Sequence, residues 1–128
     1  MASTQPKPTA AELEILQVLW ECGPRSVREI QQTLNKIKPT GYTTVLKLLQ
    51  IMTDKGLVTR DEKQRPQIYR PRFRREHTQR QMLHDLVQRA FGGSVKALVL
   101  QALAGRKSSR EELEEIEKLL DRMEGENK

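Results

Sequence analysis

The chain has 128 residues, of which 36% are hydrophobic and 4% aromatic, and its formal net charge is +6. This length fits one or two small domains whose core is built mainly from aliphatic side chains. The sequence has no long apolar run, no signal-peptide pattern and a single cysteine, so we expect a cytoplasmic protein without a membrane span, an intrachain disulfide or a multi-cysteine metal cage.

The first ordered element is predicted from a helix-capping pattern. Residues 1–8 carry two prolines and few apolar side chains, and they are predicted to be a disordered tail. Thr9 and Glu12 then have the spacing of a capping box, and an apolar stripe follows. A helix is therefore predicted over Ala10–Cys22, where a Gly-Pro pair ends it. We expect the thiol of Cys22 to be buried and unreactive.

Two more predicted helices follow closely. Ser26 and Glu29 repeat the capping-box spacing before a second apolar stripe, which predicts a helix that ends near Lys36. The stretch Tyr42–Lys55 has a helical apolar period, and Gly56 follows it as the residue preferred at a helix C-terminus. Three short helices, the last two close together, predict a helix-turn-helix.

Beyond the third helix the apolar period becomes strand-like. Val58–Asp61 and Gln67–Arg70 are predicted as two short strands, joined by the charged loop Glu62–Pro66. Three helices and a hairpin, in this order, make a winged helix, in which the hairpin is the wing. The predicted fold class is therefore mostly α, with a winged helix-turn-helix domain (three helices plus a β-hairpin wing) over residues 9–73.

The remainder, residues 74–124, is predicted to be a helical region, followed by a tail at 125–128. The segment VKALVLQALA is almost wholly apolar, so another surface must cover it. Ser108 or Ser109 is predicted to cap the last helix, whose apolar residues repeat about every seven positions. Periodicity alone assigns an interface to Leu83, Leu86, Leu98, Leu100, Leu103, Leu113, Ile116 and Leu120.

The sequence offers no catalytic or metal-binding pattern. His77 and His84 are too far apart for an i, i+4 metal pair, and no cysteine accompanies them. The pair Gly92-Gly93 lacks a phosphate-loop pattern, and the serines stand in capping contexts. We therefore predict neither an enzyme nor a site for a metal or cofactor.

The third predicted helix carries the strongest functional signal. Thr43, Lys47 and Gln50 fall on the face opposite its apolar stripe. Threonines are poor helix formers, so an ordinary solvent face does not favour them, whereas slim hydroxyls followed by long polar side chains suit the DNA major groove. Basic residues at the wing tip suit phosphates or the minor groove. The predicted DNA-binding residues are Gly41, Tyr42, Thr43, Thr44, Lys47, Gln50, Lys63 and Arg65.

The positive charge lies in the first part of the chain. Residues 1–75 contain 14 Lys and Arg against 7 Asp and Glu, a net charge of +7, and residues 76–128 contain 9 against 10, a net charge of −1. A basic first part favours an anionic polymer as its partner. Two alternatives stay open: a protein that coats DNA without sequence preference, and a winged helix that binds protein and no nucleic acid.

Several motifs in order resemble the penicillinase-repressor family of winged-helix repressors: LEILQVLWECGPRSVREI, YTTVLKLLQIMTDKGLVTR and FGGSVKALVLQAL, followed by EELEEIEKLL. The resemblance covers about residues 9–123. It implies a homodimer, held by carboxy-terminal helices, that represses transcription from a dyad-symmetric DNA operator until a signal releases it.

The same resemblance implies an upstream sensor or protease as a partner. In relatives under β-lactam control, the metalloprotease activity of a membrane sensor causes cleavage at an Asn-Phe bond in the penultimate helix. This chain has Gln101 and Ala102 at the similar place, so it departs from the family's pattern there.

Overall fold

The computed structural model describes residues 6–104 and 109–126. This part of the chain is mostly helical and contains one small antiparallel sheet, which confirms the predicted fold class. The elements in chain order are α1 (Ala10–Cys22), α2 (Val27–Asn35), α3 (Tyr42–Lys55), β1 (Val58–Asp61), β2 (Ile68–Pro71), α4 (Arg75–Ala90), α5 (Val95–Ala104) and α6 (Arg110–Glu126).

Both predicted capping boxes are present. The hydroxyl of Thr9 accepts a hydrogen bond from the amide of Glu12 at 3.2 Å, and the Glu12 carboxylate accepts one from the Thr9 amide at 2.9 Å. Ser26 and Glu29 make the same reciprocal pair at 3.3 and 2.9 Å. Because these bonds satisfy amides that the first helical turn leaves unpaired, they fix where α1 and α2 begin.

The core lies where α1, α2, α3 and the wing meet. Each helix buries one aliphatic face, as its periodicity predicts, and the wing adds one buried aromatic ring. The deepest side chains are Ile15, Leu16, Leu19, Ile30, Val45, Leu49, Met52, Val58 and Tyr69, each at most 2% exposed.

The wing differs by one residue from its prediction. The second strand is Ile68–Pro71 rather than Gln67–Arg70, because Pro71 pairs with Val58 and Ile68 with Asp61. The register is set by the partner strand and not by the local sequence, and a proline at the end of an edge strand removes no ladder bond.

The backbone of the wing is also joined to the loop before α2. The amide of Arg25 donates to the carbonyl of Tyr69 at 3.2 Å, and the amide of Tyr69 donates to the carbonyl of Arg25 at 2.8 Å. Strand β2 is therefore joined to the segment before α2 at Tyr69, in addition to its pairing with β1.

The expectation of a buried cysteine is wrong. Cys22, the last residue of α1, is exposed. It lines a surface groove between α1 and α2 together with Val18, Leu34 and Ile37. The apolar stripe of α1 that enters the core ends earlier, at Leu19.

The described residues form two compact units, and the division lies within α4, between Leu83 and His84. The first unit includes the first half of α4, where the guanidinium of Arg75 contacts the Glu21 carboxylate at 2.9 Å. A second contact is the indole N–H of Trp20, which donates to the carbonyl of Phe73 at 3.1 Å. These contacts place the start of α4 with the winged helix.

The second unit holds the rest of α4, with α5 and α6. Serine hydroxyls accept from the third helical amide of both later helices: Ser94 from Ala97 and Ser109 from Glu112, each at 3.0 Å. Ser109 is thus the cap of α6, and Ser108 lies outside the described residues. Helix α6 continues to Glu126, beyond the predicted start of the tail. Of the predicted amino-terminal tail, residues 6–8 are described and have no regular secondary structure.

Candidate nucleic-acid interface

The buried face of α3 determines which of its side chains reach solvent. Val45, Leu49 and Met52 are each 0% exposed, so the helix has no freedom to rotate about its axis without opening the core. The opposite side of α3 is exposed and carries the predicted polar residues Thr43, Thr44, Lys47 and Gln50.

The start of α3 leaves its first amides without a side-chain cap. Gly41 is the N-cap residue, and it has no side chain with which to accept from them. Uncapped amides together with the helix dipole attract anions. This start therefore favours a negatively charged partner over a neutral one.

The turn before α3 is fixed by side chains of α2. The side-chain Nε2 of Gln31 donates to the carbonyl of Thr40 at 2.9 Å, and the side-chain oxygen of Asn35 accepts from the backbone amide of Thr40 at 2.9 Å. Both bonds join α2 to the segment that leads into α3, so the angle between the two helices is supported by more than core packing.

Two of the predicted DNA-binding cations have unpaired side chains. Among the described residues, the ammonium groups of Lys47 and Lys63 have neither a hydrogen bond nor an ion pair, and both residues are exposed. Neither charge is used to stabilise the fold, so both can pair with an external anion.

The wing tip is ordered by its own polar groups. The carboxylate of Asp61 accepts from the amide of Lys63 at 3.0 Å and from the side chain of Gln64 at 2.8 Å. These two hydrogen bonds, the Gln64 bond first, lower the pKa of Asp61 below its ordinary value. An ionised Asp61 therefore holds the loop in shape at neutral pH.

Arg65 is partly engaged in that loop. Its guanidinium donates to the carbonyls of Glu62 and Gln64, which sequence reasoning did not foresee. The group has five donors in a planar fork, so two loop contacts leave others for a phosphate. Arg65 remains exposed.

The structure thus places the predicted site residues in two regions, and an additional arginine contacts one of them. Gly41, Tyr42, Thr43, Thr44, Lys47 and Gln50 lie at the start and on the exposed face of α3, and Lys63 and Arg65 lie at the wing tip. The additional residue is Arg28 of α2, whose guanidinium carbon lies 5.4 Å from the ring centroid of Tyr42. Periodicity within α2 carries no signal for this contact, because it depends on how α2 and α3 cross.

One of the two histidines considered as metal ligands is engaged with an aromatic ring. His77 stacks on Phe73, with ring centroids 5.2 Å apart. No group of three or more His, Cys, Asp or Glu in the described ranges is placed to hold a metal ion, and none of the described helices is long and apolar enough to cross a bilayer.

Comparison with known proteins assigns a family to this arrangement. A family model described as penicillinase repressor matches residues 8–122. The chain is similar to the penicillinase repressor of Bacillus licheniformis, with 24% identity over 116 residues that cover 91% of each chain. It is also similar to the penicillinase repressor of Staphylococcus aureus, with 22% identity over 121 residues, 94% of this chain and 96% of the relative.

Proposed function

This chain belongs to the penicillinase repressor family of transcriptional repressors, which are not enzymes, and we propose that it binds a dyad-symmetric DNA operator sequence-specifically as a homodimer. Such a protein acts in the cytoplasm, where it meets double-stranded DNA. The proposal needs a surface that reads bases, a surface that holds phosphates and an interface between two copies.

The observation that carries the proposal is the exposed face of α3. The helix presents short hydroxyls near its amino end and an unpaired lysine one turn further, while its buried face fixes their direction. Thr43 and Thr44 allow close approach to the floor of the major groove, and Lys47 and Gln50 are long enough to reach base edges.

The wing supplies the second contact. Lys63 and Arg65 stand at its tip, on a loop that Asp61 holds in shape. Positive side chains on a narrow hairpin suit the phosphate backbone or the minor groove. They add affinity that depends little on sequence.

Apolar side chains exposed on α4, α5 and α6 support the homodimer. Helix α5 has no buried residue although its sequence is almost wholly apolar. Of the predicted interface residues, Leu98, Leu103 and Ile116 are partly buried within one chain. The others are 44–57% exposed: Leu83, Leu86, Leu100, Leu113 and Leu120. Exposed apolar surface of this extent is typical of an interface.

A two-fold dimer sets the form of the operator. Two copies related by a two-fold axis present two α3 helices to one side of the duplex. Their half-sites would then be one helical turn, roughly 34 Å, apart or a multiple of that distance.

The release of this protein from DNA is proposed not to follow from cleavage at an Asn-Phe bond. Gln101 and Ala102 lie exposed in α5, and neither matches the residue that the resemblance implies there. An upstream sensor or protease acting on this chain would therefore need a different specificity or a different bond.

The proposal is tested by a gel shift with the DNA upstream of the protein's own gene, excess random competitor and a salt titration. A retained, dyad-symmetric footprint is the expected result. Binding that competitor removes, with the salt dependence intact, would favour a protein that coats DNA, and no binding at low salt would favour the protein-binding alternative.

A further inference from the structure

One arginine near the proposed DNA surface stands at a position in its own helix that disfavours a positive charge. Arg28 is the second residue of α2 and is exposed. A cation in the first turn of a helix is opposed by the positive end of the helix dipole. The acidic residue of that turn, Glu29, is engaged with Ser26 in the capping box.

Tyr42 holds this arginine in place. The guanidinium carbon of Arg28 lies 5.4 Å from the centroid of the Tyr42 ring, a distance at which a cation is attracted to the ring face. Tyr42 is itself 44% exposed at the first position of α3. The pair therefore stands at the surface, where α2 meets the start of the helix that we propose reads DNA.

The pair also borders a groove between α2, α3 and the start of β2 in the wing. The groove has a volume of about 550 Å³ and presents the donor-bearing side chains of Arg28, Gln32 and Gln67. Its one carboxylate among the described lining residues is that of Glu29. The Ser26 amide, and then its hydroxyl, hold the pKa of Glu29 below its ordinary value, so its charge is already matched to local donors.

We propose that Arg28, held by the ring of Tyr42, binds a phosphate of the DNA backbone beside the start of α3. This inference rests on the proposed function and extends it to a residue of α2. The guanidinium lies over the Tyr42 ring and has no hydrogen bond or ion pair to the described residues. Its N–H donors can therefore bind a phosphate, which arginine grips by two parallel hydrogen bonds.

The proposed contact positions α3 rather than reading bases. A phosphate gripped at the junction of α2 and α3 fixes how far along the groove the amino end of α3 lies. Arg28 is thus a positioning residue, whereas Lys47 remains the candidate for base contact.

The test measures salt dependence on a duplex of mixed sequence, because a phosphate contact needs no operator. Arg28→Ala should lower the magnitude of the slope of log affinity against log salt by about 1 and weaken binding about tenfold. Arg28→Lys keeps the charge and should keep the slope, with weaker binding because the fork is lost.

Substitutions of Arg25 and Tyr42 complete the experiment. Arg25→Ala removes a cation three residues earlier, whose guanidinium donates to the carbonyl of Pro24, and it should leave the slope unchanged. Tyr42→Leu removes the ring and should weaken binding about threefold through loss of the cation–π contact. Thermal melting of each variant confirms that it is folded.

The outcomes separate the two proposals. An unchanged slope for Arg28→Ala, or an equal fall for Arg25→Ala, would overturn the Arg28 contact while leaving DNA binding intact. Failure of the wild-type protein to bind any duplex at low salt would overturn both.

Discussion

The ammonium group of Lys55 lies 2.6 Å from the carboxylate of Glu12 and so joins the last turn of α3 to the first turn of α1. The Glu12 side chain is 3% exposed and that of Lys55 is 29% exposed. The same carboxylate accepts from the amide of Thr9, so it serves the capping box and the ion pair at once.

Glu12→Gln should therefore destabilise the protein while leaving the capping box largely in place, since Gln also suits that position. The loss of a charged partner in a mostly buried pair should lower the free energy of unfolding by about 1–2 kcal/mol. Urea unfolding at pH 7 measures it. Glu14→Gln is the matched control, because its ion pair with Lys38 is exposed on both sides and should contribute under about 0.5 kcal/mol. Equal losses for the two variants would contradict the special role of Glu12.

The Glu12 carboxylate also makes the stability of the protein depend on pH, in a direction that can be predicted. Burial alone raises the pKa of Glu12, but the hydrogen bond from Lys55 and those within the capping box outweigh it and lower the pKa. When the pKa of a carboxyl group is lower in the folded than in the unfolded state, the group stabilises the fold at pH values above its unfolded-state pKa. That contribution is lost as the pH falls through the folded-state pKa. The stability difference between wild type and Glu12→Gln should therefore shrink on acidification below about pH 4.5. Unfolding curves collected at several pH values check this, and a difference that grows on acidification would show the opposite sign.

Alanine substitution of a base-contacting residue and of a phosphate-contacting residue should affect DNA binding differently. Lys47→Ala should cost about 1–3 kcal/mol and relax discrimination at one base position. Arg65→Ala should weaken all sequences about equally and lower the salt slope by about 1. Binding measured on the operator and on random DNA separates the two, and equal losses of both variants on both DNAs would refute the assignment.

Leu120→Asp should dissociate the proposed dimer. Leu120 is 45% exposed in one chain, and a carboxylate placed at an apolar seam between two copies has no partner. Sedimentation should report a monomer that is still helical by circular dichroism. Lys118→Gln changes the charge by the same amount on the same helix, at an exposed polar position, and should leave the dimer intact. A Leu120→Asp protein that sediments as a dimer would remove α6 from the interface.

The local elements were predictable because their signals lie within a few residues. Helix α3 begins at Tyr42 and ends before Gly56 as predicted, and Gly56 adopts the left-handed conformation, with φ 82° and ψ 21°, that its position suggested. The exposed polar face of α3 followed from the same periodicity. These features depend on chain-local geometry alone.

Several features that escaped sequence reasoning depend on distant partners. Glu12 and Lys55 are 43 positions apart, and Arg28 reaches Tyr42 only because α2 crosses α3 at that level. The predicted second strand was misplaced by one residue for the same reason, because Val58 of β1 pairs with Pro71. The spacing of residues within one helix does not indicate which side chain of another helix will lie beside that helix.

The backbone exchange between Arg25 and Tyr69 braces the wing against the segment before α2, and the Gln31 contact with Thr40 braces α2 against the turn before α3. The elements that we propose to face DNA are thus preorganised while the protein folds. Little conformational entropy then remains to be lost on binding, so more of the contact free energy is available to separate a correct sequence from an incorrect one. Such a surface gains selectivity at the expense of adaptability.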